Sequence, residues 1–271
     1  MTMEVSIDSA TRIHFLIGDP IGQVIGPTLI SQKMSNSGYN GIMLPLHVPA
    51  SDLVAVLRGF DAIKNLESVL ITVPHKIACV SHCSSLSSRA QKLGAVNVMR
   101  RDGMGGWHGD NFDGPGFVYG LRSKGHEVAG QRAFMAGAGG AGSSISVSLL
   151  DEGLESIAIY DRKPGVAASL VHRLLEFYPG RVVVCEETPD LSDFSIIINA
   201  TSTGLYEGDP LPVDLTTAKR GSLVADVLTK PAVTPFMIDA EKRGCETHSG
   251  VAMLEGQLEL IYRFAIGGDI P

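Results

Sequence analysis

Cysteine is scarce in this chain. Only Cys79, Cys83, Cys185 and Cys245 occur in 271 residues. No second closely spaced pair is present to complete a metal motif with His75, Cys79, His82 and Cys83. No metal is expected, and the thiols read as reduced groups in a cytoplasmic protein. Long apolar runs are missing too: none reaches the roughly 18 residues that a membrane span demands. The opening "MTMEVSIDSATR" has no basic flank leading into an apolar stretch, so no secretory signal is expected. Basic blocks are absent at a formal net charge of -7, which speaks against nucleic acid as a partner. Internal repeats and low-complexity linkers are also lacking. What the chain does have is a hydrophobic content of 44%, enough for a sizeable core in one large or two modest domains.

Short apolar runs alternate with helical patterns over the first hundred residues. Segments 13–18, 41–48, 68–73 and 95–101 read as strands, and 27–38 and 51–63 as helices, the second with Ser51 as N-cap. Strands separated by such helices imply βαβ units and a mostly parallel sheet. A second series follows the Gly-rich "GDNFDGPGF" (109–117). Its strands fall over 132–137, 156–161, 181–185, 195–200 and 222–227, with helices over 141–153 and near 165–178. That is the outline of a doubly wound, Rossmann-like dinucleotide-binding domain. The tail 251–268 has apolar residues at helical spacing and no following strand, so it is expected to leave this domain and pack back on the first. The expected fold is α/β in two domains, residues 1–112 with 248–271 and residues 113–247.

"MAGAGGAG" places Gly137, Gly139 and Gly142 in the order G-x-G-x-x-G, after a strand and opening a helix. The first glycine permits a tight turn and the second lets backbone amides approach a pyrophosphate. The third lets the helix sit close to the strand, its positive end toward the phosphates. Gly137, Ala138, Gly139, Gly140, Ala141 and Gly142 are therefore cofactor-binding candidates. Asp161 ends the next strand, within the roughly 20-residue interval expected for a carboxylate that binds ribose hydroxyls. An acid there accepts from a free 2′-hydroxyl and repels a 2′-phosphate, so NAD is favoured. Arg162 and Lys163 follow at once and make NADP the alternative.

"LITVPHK" ends a strand with Thr72, Pro74, His75 and Lys76, and "GDNFDG" supplies Asn111 and Asp113 near the domain junction. A lysine and an aspartate facing one another make a proton-transfer pair, which hydride chemistry at a secondary alcohol requires. The other reading is a surface ion pair of little energetic consequence. His75 reads as surface-oriented and not catalytic.

In order along the chain, "GDPI" (18–21), "TVPHK" (72–76), "GAVN" (94–97), "GDNFDGPGF" (109–117), "GAGGAG" (137–142), "NATSTGL" (199–205), "DVLTKPAVTPF" (226–236) and "GVAMLEGQ" (250–257) resemble the shikimate dehydrogenase family. The resemblance implies a two-domain α/β enzyme, with an N-terminal substrate-binding domain and an NAD(P)-binding domain. It would interconvert a cyclic polyol and its ketone, shikimate and 3-dehydroshikimate or quinate in the family, as a monomer or homodimer. It implies catalytic roles for Lys76 and Asp113, and substrate contacts from Thr72, Asn97 and Gln257. It also implies a loop lining the nicotinamide at Asn199, Ala200, Thr201 and Ser202, with Gly250 on the cofactor side.

The chain departs from the family in the loop "GDPIGQVIGP". Where the family carries two serines that grip the substrate carboxylate, this chain has Val24 and Gly26, and Gln23 replaces a histidine. Two such charge-assisted bonds are worth roughly 1.5–3 kcal/mol each, so losing both amounts to about a thousandfold in affinity. Leu70, Leu228, Val98 and Phe112 also replace polar residues, and Ile30 and Ser31 replace a His-Asn pair. Two enzymatic readings fit. Gln23, Ser31 or an amide freed by Gly26 binds the carboxylate, or the substrate is a related cyclic alcohol with a less polar substituent. A non-catalytic dinucleotide sensor is a third reading, against which the Lys76–Asp113 pair stands. A methylenetetrahydrofolate-dehydrogenase-like protein is a fourth, which "GDNFDG" and "NATSTGL" fit poorly.

Overall fold

The computed structural model describes residues 7–22, 24–206 and 208–270. The chain divides into two compact units: residues up to Phe112 together with those from Leu258 onward, and residues Asp113–Gln257.

The first unit is built on strands β1 (Arg12–Gly18), β2 (Gly41–His47), β3 (Leu66–Ile71), β4 (Ser85–Leu86), β5 (Val98–Arg101) and β6 (Trp107–Asp110), in the spatial order β2-β1-β3-β5-β6-β4. The β1–β2, β1–β3 and β4–β6 pairs are parallel, but β3–β5 and β5–β6 are antiparallel, so this sheet is mixed. The expected mostly parallel sheet fails at β5 and β6, which the short segment "DGMGG" joins as a hairpin. Consecutive residues of a strand point to opposite faces, and here both faces are covered. Ile17, Val69 and Met99 enter one core with Leu53, Leu57 and Phe60 of helix α2 (Leu53–Ala62). Leu16, Leu70 and Val98 enter the other, with Ile30 and Met34 of helix α1 (Gly26–Asn36). Helix α2 is preceded by Asp52, whose side chain makes no capping bond; Ser51 is not the cap. Helix α3 (Ser88–Leu93) is capped at both ends, by Ser87 Oγ accepting the Ala90 N–H and by Gly94 in the left-handed region.

The second unit holds helices α4 (Asp113–Ser123), α5 (Gly140–Asp151), α6 (Val166–Leu175) and α7 (Pro235–Lys242). Its strands are β7 (Arg132–Ala136), β8 (Ser156–Tyr160), β9 (Val182–Cys185), β10 (Ile196–Asn199), β11 (Leu223–Asp226) and β12 (Glu246–His248). The order β12-β11-β10-β7-β8-β9 is parallel throughout. Counted from β7, it is the doubly wound arrangement whose direction reverses between β7 and β10, where such sheets bind ligands at the carboxyl ends of the strands.

Helix α8 (Gly250–Ala265) begins in the second unit and ends in the first. Leu260, Ile261 and Phe264 enter the core that contains Leu16, Leu70 and Val98, as expected for the tail.

Candidate active site

In the second unit the turn after β7 is shaped by steric necessity. Gly137 has φ +104, and a Cβ there would stand 2.7 Å from the Ala200 carbonyl. A Cβ on Gly142 would stand 2.1 Å from the Gly137 oxygen. Gly139 and Gly140 are different: they are exposed, and a Cβ on either would meet nothing of the protein within 4 Å. Their openness leaves backbone free to approach a bound group. No side chain caps α5, and no acid stands in its first turn. Uncapped amides at the positive end of a helix suit a pyrophosphate, so the residues present fit a dinucleotide.

Asp161, just past β8, ties this turn down. Its Oδ2 accepts the Ala138 N–H and its Oδ1 the Lys163 N–H, both at 2.9 Å. A carboxylate has further lone pairs, so the clamp leaves acceptor capacity for a ribose. Arg162 is exposed beside it, and Arg173 Nη2 lies 3.5 Å from Ser143 Oγ.

The loop after β10 is held from within. Asn199 is buried; its Oδ1 accepts the Thr201 N–H and hydroxyl, and its Nδ2 donates to the Thr203 carbonyl and to Asp226 Oδ1. Asp226 also accepts the Thr234 hydroxyl at 2.8 Å and the Leu228 N–H at 3.0 Å. Burial pushes its carboxyl up from the ordinary value, against those donors. The side chains of Asn199 and Thr201 thus shape the loop, leaving Ala200 half-buried and Ser202 exposed on it. Asp226 opens the stretch "DVLTKPAVTPF" that carries the family resemblance, but its part in holding this loop is not legible in the sequence, because its partners Asn199 and Thr234 sit at no telling spacing. Gly250 is buried, and a Cβ there would stand 2.4 Å from the Val227 carbonyl, so it serves the approach of α8 to the end of β11.

Asp113 opens α4 and is buried, and Gln257 Nε2 donates to its Oδ1 at 2.5 Å. Glycines bring the two helices together. A Cβ on Gly116 would stand 2.7 Å from Gln257, and one on Gly256 2.5 Å from the Gly116 oxygen.

In the first unit Thr72 and Lys76 follow β3. The Thr72 N–H donates to the Ile17 carbonyl at 2.9 Å, and the Lys76 carbonyl accepts the Val96 N–H at 2.9 Å. His75 is buried with Nε2 2.7 Å from the Val48 carbonyl. The expectation that it faces the surface is wrong: a main-chain acceptor satisfies the ring inside the fold. Asn97 is buried just before β5, and its Oδ1 accepts the Phe112 N–H at 3.0 Å.

Val24 and Gly26, which stand in place of the two family serines, lie among apolar groups. Val24 packs against the cluster containing Ile30, Leu70, Val98 and Phe112. A Cβ on Gly26 would press within 3.2 Å of Leu16 Cδ1. Ser31, a candidate for the carboxylate, instead has its hydroxyl on the β2 backbone, accepting the Met43 N–H at 3.0 Å. Gln23 lies outside the described residues. Asp19, the one charged residue of the stretch, pairs with His47 Nε2 at 2.6 Å.

Comparison with known proteins gives consistent matches. Residues 16–99 match the family model described as the shikimate dehydrogenase substrate binding domain. The curated shikimate dehydrogenase (NADP(+)) of Rubrobacter xylanophilus is 34% identical over 262 residues, covering 95% of this chain and 89% of that protein. Among solved structures, shikimate 5-dehydrogenase from Listeria monocytogenes, in complex with shikimate and NAD, superposes with a TM-score of 0.91 at 27% identity, covering 100% of this chain and 96% of that one. The ligand-free 5-ketofructose reductase of Gluconobacter sp. strain CHM43 superposes with a TM-score of 0.88 at 27% identity, covering 96% and 95%.

Proposed function

The chain belongs to the shikimate dehydrogenase family, and on that premise we propose how it works as a nicotinamide-dinucleotide-dependent dehydrogenase acting on a CH–OH group. The observation that carries the reading is the glycine turn Gly137–Gly142 at the reversal point of a fully parallel sheet, where Gly139 and Gly140 leave open backbone. A dinucleotide held here would supply the acceptor and donor of hydride for a secondary alcohol and its ketone. Gly137 to Gly142 would hold its pyrophosphate, with the loop Ala200–Ser202 lining the same site. This reading favours NAD, because a carboxylate at Asp161, just past β8, would accept from a free 2′-hydroxyl and repel a 2′-phosphate.

Lys76 and Asp113 carry the proton. In oxidation the Lys76 amine takes the hydroxyl proton as the carbon gives up hydride; in reduction the Lys76 ammonium gives it back to the forming alkoxide. Gln257 holds the Asp113 carboxylate in one orientation. Thr72, Asn97 and Gln257 receive the ring hydroxyls. Lys76→Ala is expected to cut turnover by roughly 10²–10⁴ while dinucleotide affinity persists. A variant as active as the parent, followed by reduced-nicotinamide absorbance, would refute the assignment.

Shikimate is the first substrate to test, and one observation favours a second reading. Val24, Ile30, Leu70, Val98 and Phe112, each in place of a polar family residue, pack into one apolar cluster, and none of these five side chains can replace the lost grip. A polyol or hydroxyketone without a carboxylate does not need that grip, and 5-ketofructose reductase is a relative of that kind by name. Steady-state kinetics on shikimate, quinate and uncharged polyols separates the two. A kcat/KM on shikimate of roughly 10⁵ M⁻¹s⁻¹ or more would eliminate the second reading.

A further inference from the structure

An ion pair in the first unit is built more rigidly than stability alone requires. Asp110, the last residue of β6, is buried, and Arg89 of α3 grips it with two parallel bonds, Nε to Oδ1 and Nη2 to Oδ2, each 2.7 Å. Ser87 Oγ donates to Oδ1 at 2.5 Å and the Asn111 N–H at 2.7 Å. The guanidinium carbon of Arg89 lies 4.6 Å over the Phe112 ring. With Asp110 buried and Arg89 partly exposed, the cost of desolvating the carboxylate offsets much of the attraction; what a forked, stacked arginine supplies is fixed geometry.

The geometry it fixes leads to the substrate groups. The Asp110 carbonyl accepts the Asn97 N–H at 2.9 Å, while the Phe112 N–H, two residues on, donates to Asn97 Oδ1 at 3.0 Å. Asn97 is thus held at backbone and side chain by the segment that Arg89 clamps. Its neighbour Val96 donates to the Lys76 carbonyl.

We propose that Arg89 and Asp110 are positioning residues for the reaction: acting through Asp110 and Phe112, they set the rotamer of Asn97 and the backbone that carries Lys76. The proposal rests on the dehydrogenase reading above. Arg89→Lys keeps the charge but loses the fork, and Asp110→Asn keeps acceptor and shape but loses the charge; both are milder than Arg89→Met. In each, hydrogen exchange at the Asn97 and Phe112 amides should quicken by roughly tenfold or more, with the remainder of the first unit unchanged. The polyol kcat/KM should fall by roughly 10–100-fold, with the dinucleotide KM within about twofold of the parent. Exchange unaltered at those amides, or raised evenly across the first unit with a lower Tm, would overturn the proposal. So would locally faster exchange with unchanged polyol kinetics. The exchange measurement needs no turnover, so a parent inactive on every polyol tested would count against the dehydrogenase reading alone.

Discussion

Asp161 has two tasks that sequence spacing alone merges into one. The carboxylate closes the glycine turn by accepting the Ala138 N–H, and it places negative charge at the end of β8. Removing the side chain would damage the turn for either dinucleotide, so an alanine variant confuses cradle with charge. Asp161→Asn keeps an acceptor for one of the two amides while discharging the site. It should raise the NADP-to-NAD preference by roughly tenfold, in line with about 1.4 kcal/mol for one relieved repulsion; an unchanged KM ratio would show that charge at this position does not choose the cofactor. At this scale residue types were legible where the chemistry has a spacing, as in the glycine turn. His75 and Ser31 were misread for one reason. Each has a side chain satisfied by a backbone group distant in sequence, Val48 for His75 and Met43 for Ser31, and no local pattern announces such a partner.

Among the elements, α4 shows how a correct inference about residues hides a helix. "GDNFDGPGF" reads only as a Gly-rich stretch between two series of elements, yet α4 runs from Asp113 through it. Its glycines serve proximity to α8: Gly116 meets Gln257, and a Cβ on Gly120 would stand 2.9 Å from the Ala252 carbonyl. Gly116→Ala should therefore destabilise the protein by about 1–3 kcal/mol through overpacking, read as a lower urea midpoint. It should also lower turnover by pushing Gln257 away from Asp113; a variant with parental stability and turnover would show that the helices have slack. The long apolar strands were legible from their runs of branched residues. β4 and β12 were not, because two or three residues carry too little pattern, nor was β6, which holds Trp107 and His108 among glycine and aspartate.

For the molecule as a whole, two buried histidines set a limit at acid pH. His14 and His248 each have an Nε2 that is buried without a hydrogen-bond partner among the described residues. Desolvation pulls both down to about 4; nearby Arg12 adds to the effect at His14, and His126 and Lys124 at His248. A histidine whose folded value lies below its unfolded 6.5 binds its proton more readily in the unfolded chain. Its stabilising contribution is complete above about pH 6.5 and drains away as pH falls toward 4. Urea midpoints should already drop between pH 6.5 and 5, before most carboxylates titrate; a flat profile over that range would mean the two rings are hydrated in solution.

The continuity of α8 across the two units carries a lesson for recombination. Gln257 and Leu258 are adjacent on one helix, yet the first buttresses Asp113 and the second begins the stretch that completes the core around Leu16. Anyone exchanging the N-terminal half with a relative must cut twice, near Phe112 and again inside this helix, and transplant the final residues along with it. A chimera joined at a single seam would pair a foreign tail with a core shaped for another.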